Sequence, residues 1–222
     1  MRKLLRHYLA LLLVPASMVW QIPASLAAIP PGGSVFQNVI PEATEACTDA
    51  EAKWWEELRA AGSEFAGANR RRDRAVFEAR SQAHQRGRVL ADDEDGLSRK
   101  ERDRLNADLD AARQNYFRLL RHGTENSYRA PIHDTGRVVV LYTGTPNYTE
   151  TARRNKTMGR VKLQTEFRAD GSVGAVEVRQ KLGDGLDQQA IEAIRRVVFL
   201  PATRDRLFVT ISKSVEVDFN LK

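Results

Sequence analysis

The fold of this chain is decided by residues 159–178, which read GRVKLQTEFRADGSVGAVEV. In the first half of this stretch, mostly apolar side chains alternate with charged and polar ones, a pattern typical of a β-strand with one buried and one solvated face. Residues 169–172 (ADGS) follow as a turn, because glycine adopts a positive φ at little cost. Residues 173 and 176–178 are valine-rich and continue as a second strand. The stretch therefore predicts an antiparallel hairpin.

Further strands and a helix are predicted on either side of this hairpin. Residues 137–142 form a short apolar run that suits a buried or an edge strand. Residues 186–197 place their apolar side chains on one side of an amphipathic helix. Residues 209–221 alternate again and predict the last strand. The hairpin, the helix and the last strand follow in the order strand, strand, helix, strand, which is typical of an α+β unit with its helix on one face of an antiparallel sheet.

The preceding segment, residues 44–125, predicts a charged helical hairpin or a coiled-coil segment. Thr48 and Ser98 each stand three residues before a glutamate, which is the capping box that begins a helix. Apolar side chains follow each box at spacings of three and four, although glycines at positions 62 and 67 weaken the first helix. The two apolar stripes are buried either by folding back on each other or by pairing between molecules. The sequence leaves both arrangements open.

The first residues are predicted to be an export signal. A basic start precedes a largely apolar run and then small residues at positions 25 and 27, which is the layout of a signal peptide. We therefore predict a signal peptide over residues 1–27, a flexible mature N-terminus over residues 28–43 and a periplasmic location. An uncleaved inner-membrane anchor is the alternative.

The charge of the chain excludes some classes of partner. Its 222 residues include 35 Lys and Arg against 29 Asp and Glu, a net charge of +6. The predicted signal peptide carries three basic residues and no acidic one, so the mature chain has a net charge of +3. This surplus is too small to favour nucleic-acid binding. Cys47 is the only cysteine, which excludes an internal disulfide.

No catalytic residue, metal site or cofactor site is predicted. His84, His122 and His133 lack the spacing of metal ligands, and the acidic run at residues 92–96 lacks the ligand order of a calcium loop. The sequence contains no nucleophile elbow and no phosphate-binding loop. We therefore expect a binding protein and not an enzyme.

The C-terminal region resembles the C-terminal domain of TonB-family proteins. We predict one domain of this kind over residues 131–222. Within it the resemblance extends over residues 146–222 and includes the hairpin quoted above, residues 148–155 (YTETARRN), residues 183–187 (GDGLD) and residues 201–203 (PAT). It implies a small periplasmic module whose last strand is exposed at a sheet edge and accepts an extended partner segment as an added strand. In TonB proper that segment belongs to an outer-membrane transporter.

The resemblance places a candidate partner-binding surface on the last strand, with one tyrosine nearby. This surface comprises Ser212, Lys213, Ser214, Val215, Glu216, Val217 and Asp218, together with Tyr148. Lys213 has the parity of the buried face of the strand. This indicates either a β-bulge or a charge that guards the edge against self-pairing.

The region before this domain departs from TonB proper, because residues 42–130 contain no proline where a long Pro-rich spacer is typical. We therefore do not expect association with the proton-driven inner-membrane motor. The leading hypothesis is a periplasmic adaptor that pairs its last strand with a segment of an envelope protein such as an outer-membrane transporter. The alternative is a structural envelope protein that self-associates through its helices as a homodimer, without energy coupling.

Overall fold

The computed structural model describes residues 47–91, 94–131 and 136–221, all of which belong to one compact unit, Gly32–Lys222. The predicted signal peptide and flexible N-terminus lie outside the described residues. The elements are α1 (Asp49–Gln85), α2 (Arg99–Glu125), β1 (Val139–Tyr142), α3 (Glu150–Asn155), β2 (Gly159–Phe167), β3 (Val173–Gln180), α4 (Leu186–Arg195), β4 (Val198–Leu200), β5 (Ala202–Arg204), β6 (Leu207–Val209) and β7 (Ile211–Phe219). The α+β class is confirmed. None of the described helices is both long enough and apolar enough to cross a bilayer.

The first helix begins where its capping box predicts. The Glu51 N–H donates to Thr48 Oγ1 at 3.2 Å, and the Thr48 N–H donates to Glu51 Oε2 at 2.9 Å. The helix then continues for 37 residues through both of its glycines. A methyl group at Gly62 would lie 2.7 Å from Cδ1 of Leu141, so this glycine permits close contact between α1 and the strand β1.

The two long helices pack against each other within one chain. Phe65 of α1 lies in the same core as Tyr116 and Leu120 of α2, and the rings of Phe65 and Tyr116 are 5.9 Å apart. Trp54 is buried, and its indole N–H donates to the Leu119 carbonyl oxygen at 2.9 Å. Of the two arrangements that the sequence left open, the structure has the intramolecular one.

The same core continues from the helices into the C-terminal region. Its members there include Val139, Tyr142, Val198 and Leu200, which belong to the paired strands β1 and β4. The Tyr116 hydroxyl of α2 donates to the carbonyl oxygen of Phe199 in β4. The helical segment is therefore docked on the C-terminal region through a shared hydrophobic core.

Three antiparallel sheets form the C-terminal region: β3-β2-β7, β1-β4 and β5-β6. The largest sheet covers a second core, in which Leu186, Ala190 and Ile194 of α4 pack with Val161 and Leu163 of β2. This confirms a helix on one face of an antiparallel sheet. The predicted order omitted α3 and β4 to β6, because these elements have only three to six residues and show no clear period.

Candidate functional site

The last strand, β7, lies at one edge of the largest sheet. Among the described residues it pairs only with β2, so its other side offers unpaired backbone groups. Successive residues of a strand direct their N–H and C=O groups alternately to the two sides. About half of the backbone hydrogen-bonding groups of β7 therefore point away from β2. We call residues 212–218 of this strand the β7 edge.

The strand β3 forms the opposite edge of the same sheet, but it is less regular. Its register with β2 shifts twice, between Lys162 and Leu163 and between Thr165 and Phe167. Such irregularities twist an edge away from straight pairing and protect it against added strands. The nine residue pairs between β7 and β2, by contrast, run without a shift. The edge at β7 is therefore better suited than the edge at β3 to pair regularly with an added strand.

Lys213 has the parity of the buried face of β7. It lies directly opposite Thr165 of β2 in an unbroken register, so the β-bulge interpretation is wrong. Its side chain is exposed although it shares a face with the buried Val215. A lysine at a sheet edge extends its ammonium group past the rim of the core into water. The interpretation of Lys213 as an edge-guarding charge stays a prediction.

The acidic side chains of the β7 edge are neutralised by the neighbouring strand. Arg160 of β2 bonds both Glu216, at 2.5 Å, and Asp218, at 2.6 Å. Lys162 Nζ lies 3.2 Å from the Glu216 carboxylate. The hydrogen bond to Asp218 is the main reason that the pKa of Arg160 is raised. None of the ion pairs found in the described ranges involves Lys213, which leaves it as the unpaired charge of this strand.

Tyr148 lies at the C-terminal end of β7. Its ring meets the Phe219 ring edge to face at 5.8 Å, and the guanidinium carbon of Arg153 lies 5.7 Å from its centroid. Its hydroxyl donates to the Thr157 carbonyl oxygen. Seven residues of extended chain span about 23 Å, so Tyr148 is close to one end of the β7 edge and remote from Ser212 at the other.

The carboxylate of Asp184, which no sequence pattern indicated as a functional group, holds the Tyr148 segment in place. Asp184 accepts hydrogen bonds from the Thr157 hydroxyl and from the Asn155 amide, and its backbone carbonyl accepts one from Thr149 Oγ1 at 2.6 Å. The hydrogen bond from Thr157 is the main cause of the lowered pKa of Asp184. Asn155 and Asp184 both stand in the quoted motifs, but only the folded chain brings them together. No group of three His, Cys, Asp or Glu side chains in the described ranges is placed to hold a metal ion.

Comparison with known proteins agrees with this geometry. The family model described as Gram-negative bacterial TonB protein C-terminal matches residues 144–221. Residues 144–221 form a TonB-family C-terminal domain. This TonB domain contains the whole β7 edge and Tyr148, whereas α1 and α2 lie outside it.

The chain is also similar to Protein TonB2 of Pseudomonas aeruginosa. It is 34% identical to this chain over 82 residues. The match covers 36% of this chain and 30% of the relative, so the chain spans less than a third of the length of that protein. The family match covers residues 144–221, so the helical segment lies outside it.

Proposed function

We propose that this protein is a periplasmic adaptor that binds an extended segment of an envelope protein by adding it as a strand to the β7 edge. The observation that carries the proposal is a nine-residue edge strand in unbroken register within a TonB domain. Strand addition requires free backbone donors and acceptors and a few side-chain contacts, and no catalytic group. An outer-membrane transporter is the first class of partner to test.

The β7 edge is also held rigidly. Val215 and Phe219 are 2% exposed and anchor the strand from beneath, and the ion pairs from Arg160 fix its outer face. A template that is already ordered loses little conformational entropy when a partner binds. This rigidity supports a role for β7 as the receiving strand.

We propose that the helical segment stabilises the TonB domain and does not act as an extended spacer. Its apolar stripes are filled by each other and by β1 and β4. This packing gives the self-association alternative no specific support from the described helices. Light scattering of the full mature chain tests that alternative, and a stable dimer would support it.

Site-specific photocrosslinking tests where a partner binds. A benzophenone amino acid replaces either Ser212 or Ser214 of β7, both exposed, in the full chain within the cells that produce it. The matched control carries the same amino acid at Glu177, which is exposed on β3. We expect adducts with one envelope protein from the β7 positions only. Equal adducts from β3, or none from β7, would contradict strand addition at this edge.

Proline substitution then tests whether backbone pairing is responsible. Ser214→Pro and Lys213→Pro remove the N–H of adjacent, exposed residues, one of which points to β2 and the other to solvent. Proline at the residue whose N–H points to solvent should leave the melting temperature unchanged. We expect this variant to lose the crosslinked adduct. Retention of both the fold and the adduct would show that the free backbone groups are not used.

A further inference from the structure

We propose that Lys213 makes the β7 edge selective for a strand that carries an acidic side chain beside it, flanked at the second position on each side by apolar residues. This inference rests on the proposed function, since it specifies the segment that the β7 edge accepts. It concerns one residue of this chain and the side-chain chemistry that this residue selects.

The buried face of the sheet is built of rows of side chains that cross the three strands. One row contains Leu163 and Val215, and another contains Phe167 and Ile211. A strand added to β7 would extend each row by one residue, at a Cβ separation of about 5 Å from its neighbour on β7. Beside Val215 and Ile211 the added side chain would meet apolar neighbours. An apolar residue is therefore favoured at both positions.

The row between these two is different because it ends in Lys213. The ammonium group has no carboxylate partner among the described ion pairs. Its neighbour in the row, Thr165, is fully buried, and Thr165 Oγ1 has no hydrogen-bond partner in the described part of the chain. An apolar side chain added here would remove water from the ammonium group without compensation. A carboxylate would instead form a charge-assisted hydrogen bond.

The opposite face of β7 does not supply a competing charge preference. Ser212 and Ser214 are small and neutral, and Glu216 and Asp218 already bond Arg160. Lys213 is therefore the charged side chain of the β7 edge that can pair with a partner without breaking one of the described ion pairs. The resulting pattern, apolar-x-acidic-x-apolar, reads the same in both chain directions, so it holds for parallel and antiparallel addition.

Binding of designed peptides to the full mature chain tests the inference. Three peptides of alternating Val and Thr, fused to a small soluble carrier, differ only at the central valine position, which becomes Glu, Gln or Lys. We expect the Glu peptide to bind about two- to fivefold more tightly than the Gln peptide, and the Lys peptide most weakly, as for cross-strand charge pairs. Isothermal titration calorimetry measures the affinities, and amide protection of β7 locates the peptide.

A charge reversal with a matched control assigns the effect to Lys213. Lys213→Glu should make the Lys peptide the tightest binder, whereas Lys181→Glu, at an exposed lysine just after β3, should leave the original order unchanged. Circular dichroism verifies that both variants remain folded.

The alternative outcomes separate this inference from the proposed function. Equal binding of all three peptides to β7, unaffected by Lys213→Glu, overturns the selectivity but retains strand addition. No binding of any peptide overturns both. A dimer that forms only when Lys213 is changed to Val, together with equal binding of all three peptides, would show that the lysine serves only to prevent self-pairing and would overturn the inference.

Discussion

At the residue scale, two glycines set how closely α2 approaches its neighbours. A methyl group at Gly123 would lie 2.1 Å from Cζ2 of Trp54, and one at Gly171 would lie 2.4 Å from Cδ1 of Leu120. Gly171 also has a φ of 81°, which the β2–β3 turn requires. Gly123 lies within the helix α2, where no positive φ is required. Its lack of a side chain instead allows Trp54 to pack closely against α2. The sequence showed the turn glycine, whereas the role of Gly123 depends on a contact with another helix.

We predict that alanine has opposite effects at two helical glycines. Gly123→Ala should lower the free energy of unfolding by about 1–3 kcal/mol, because the added methyl group overpacks the Trp54 contact. Gly67→Ala should raise it by up to about 1 kcal/mol, because alanine favours the helix. Its methyl group would meet only Arg71, at 3.4 Å. Urea denaturation measures both changes, and changes of the same sign would contradict this account.

Tyr116 gives a second prediction at this scale. Its ring is fully buried, its hydroxyl donates to the Phe199 carbonyl oxygen, and burial raises the pKa of this hydroxyl above its ordinary value of 10.0. A raised folded-state pKa means that the stabilisation is complete below the unfolded-state pKa and is lost as the pH rises above it. Tyr116→Phe should therefore cost about 1 kcal/mol at neutral pH and reduce the loss of stability above about pH 10.

Urea denaturation between neutral and alkaline pH checks the Tyr116 prediction. Burial, and next a hydrogen bond with Asp73, also raises the pKa of Tyr142. Tyr142→Phe therefore serves as a comparison that should reduce the alkaline loss in the same direction. An unchanged alkaline slope in Tyr116→Phe would show that this hydroxyl does not couple the helices to β4.

At the element scale, α2 is fixed at its start by a side-chain network. Ser98 caps the helix by accepting the Glu101 N–H, which is one of the two hydrogen bonds of the predicted capping box. Arg102 forms two hydrogen bonds of 2.7 Å to Asp95, whose carboxylate also accepts the Leu97 N–H at 2.9 Å. The acidic run before α2 thus contributes at least one carboxylate to a defined contact, although residues 92–93 lie outside the described part.

We predict that Asp95→Asn weakens the start of α2 in a pH-dependent way. The hydrogen bond from Arg102 is the main cause of the lowered pKa of Asp95, which lies below its ordinary value of 3.8. A lowered folded-state pKa means that the stabilisation is present above the unfolded-state pKa and is lost as the pH falls through the folded-state value. The variant should melt at a lower temperature at neutral pH.

Thermal melts followed by circular dichroism test this prediction at neutral and acidic pH. The difference between Asp95→Asn and the unchanged chain should shrink as the pH falls below 3.8, the ordinary pKa of an aspartate, because the carboxylate is then progressively protonated. Because the Arg102 side chain is 44% exposed, we expect a small effect that added salt reduces. A difference that persists undiminished in acid would assign the contribution to something other than the carboxylate charge.

At the scale of the whole molecule, the TonB domain and the helical segment share one of the two hydrophobic cores. The chain just after α2 adds a backbone contact to the TonB domain, since the Ala130 N–H donates to the Arg206 carbonyl oxygen at 2.9 Å. The family match begins at residue 144, but the hydrophobic core extends across this boundary into the helices. The described helices are therefore part of the structural unit that carries the β7 edge.

We predict that removal of the helices destabilises the TonB domain. A chain that begins at residue 131 would expose Val139, Tyr142, Val198 and Leu200, which the helices now cover. Burial of one large apolar side chain is worth about 1.5–3 kcal/mol, so the combined loss is comparable to the stability of a small domain. We expect lower soluble yield, a lower melting temperature and stronger binding of a hydrophobic dye. A chain that begins at residue 44 is the control, and equal stability of the two chains would contradict the shared core.

The sequence by itself determined the long helices, the β2–β3 hairpin and the last strand. Their apolar patterns and caps are local properties, and the hairpin turn contains a glycine that tolerates a positive φ. The resemblance also predicted that the last strand and Tyr148 form a partner-binding surface. The use of that strand as a binding surface stays a prediction.

Only the tertiary structure decided which strand edges are free and which side chains meet across them. The position of Lys213 opposite Thr165, and of Arg160 between Glu216 and Asp218, follows from pairing between segments that are far apart in the chain. Such a register depends on how whole faces pack, and no local period encodes it. The intramolecular burial of the helical stripes has the same physical reason. An apolar stripe predicts that the helix is covered, but it does not show whether the covering surface belongs to the same chain or to another molecule.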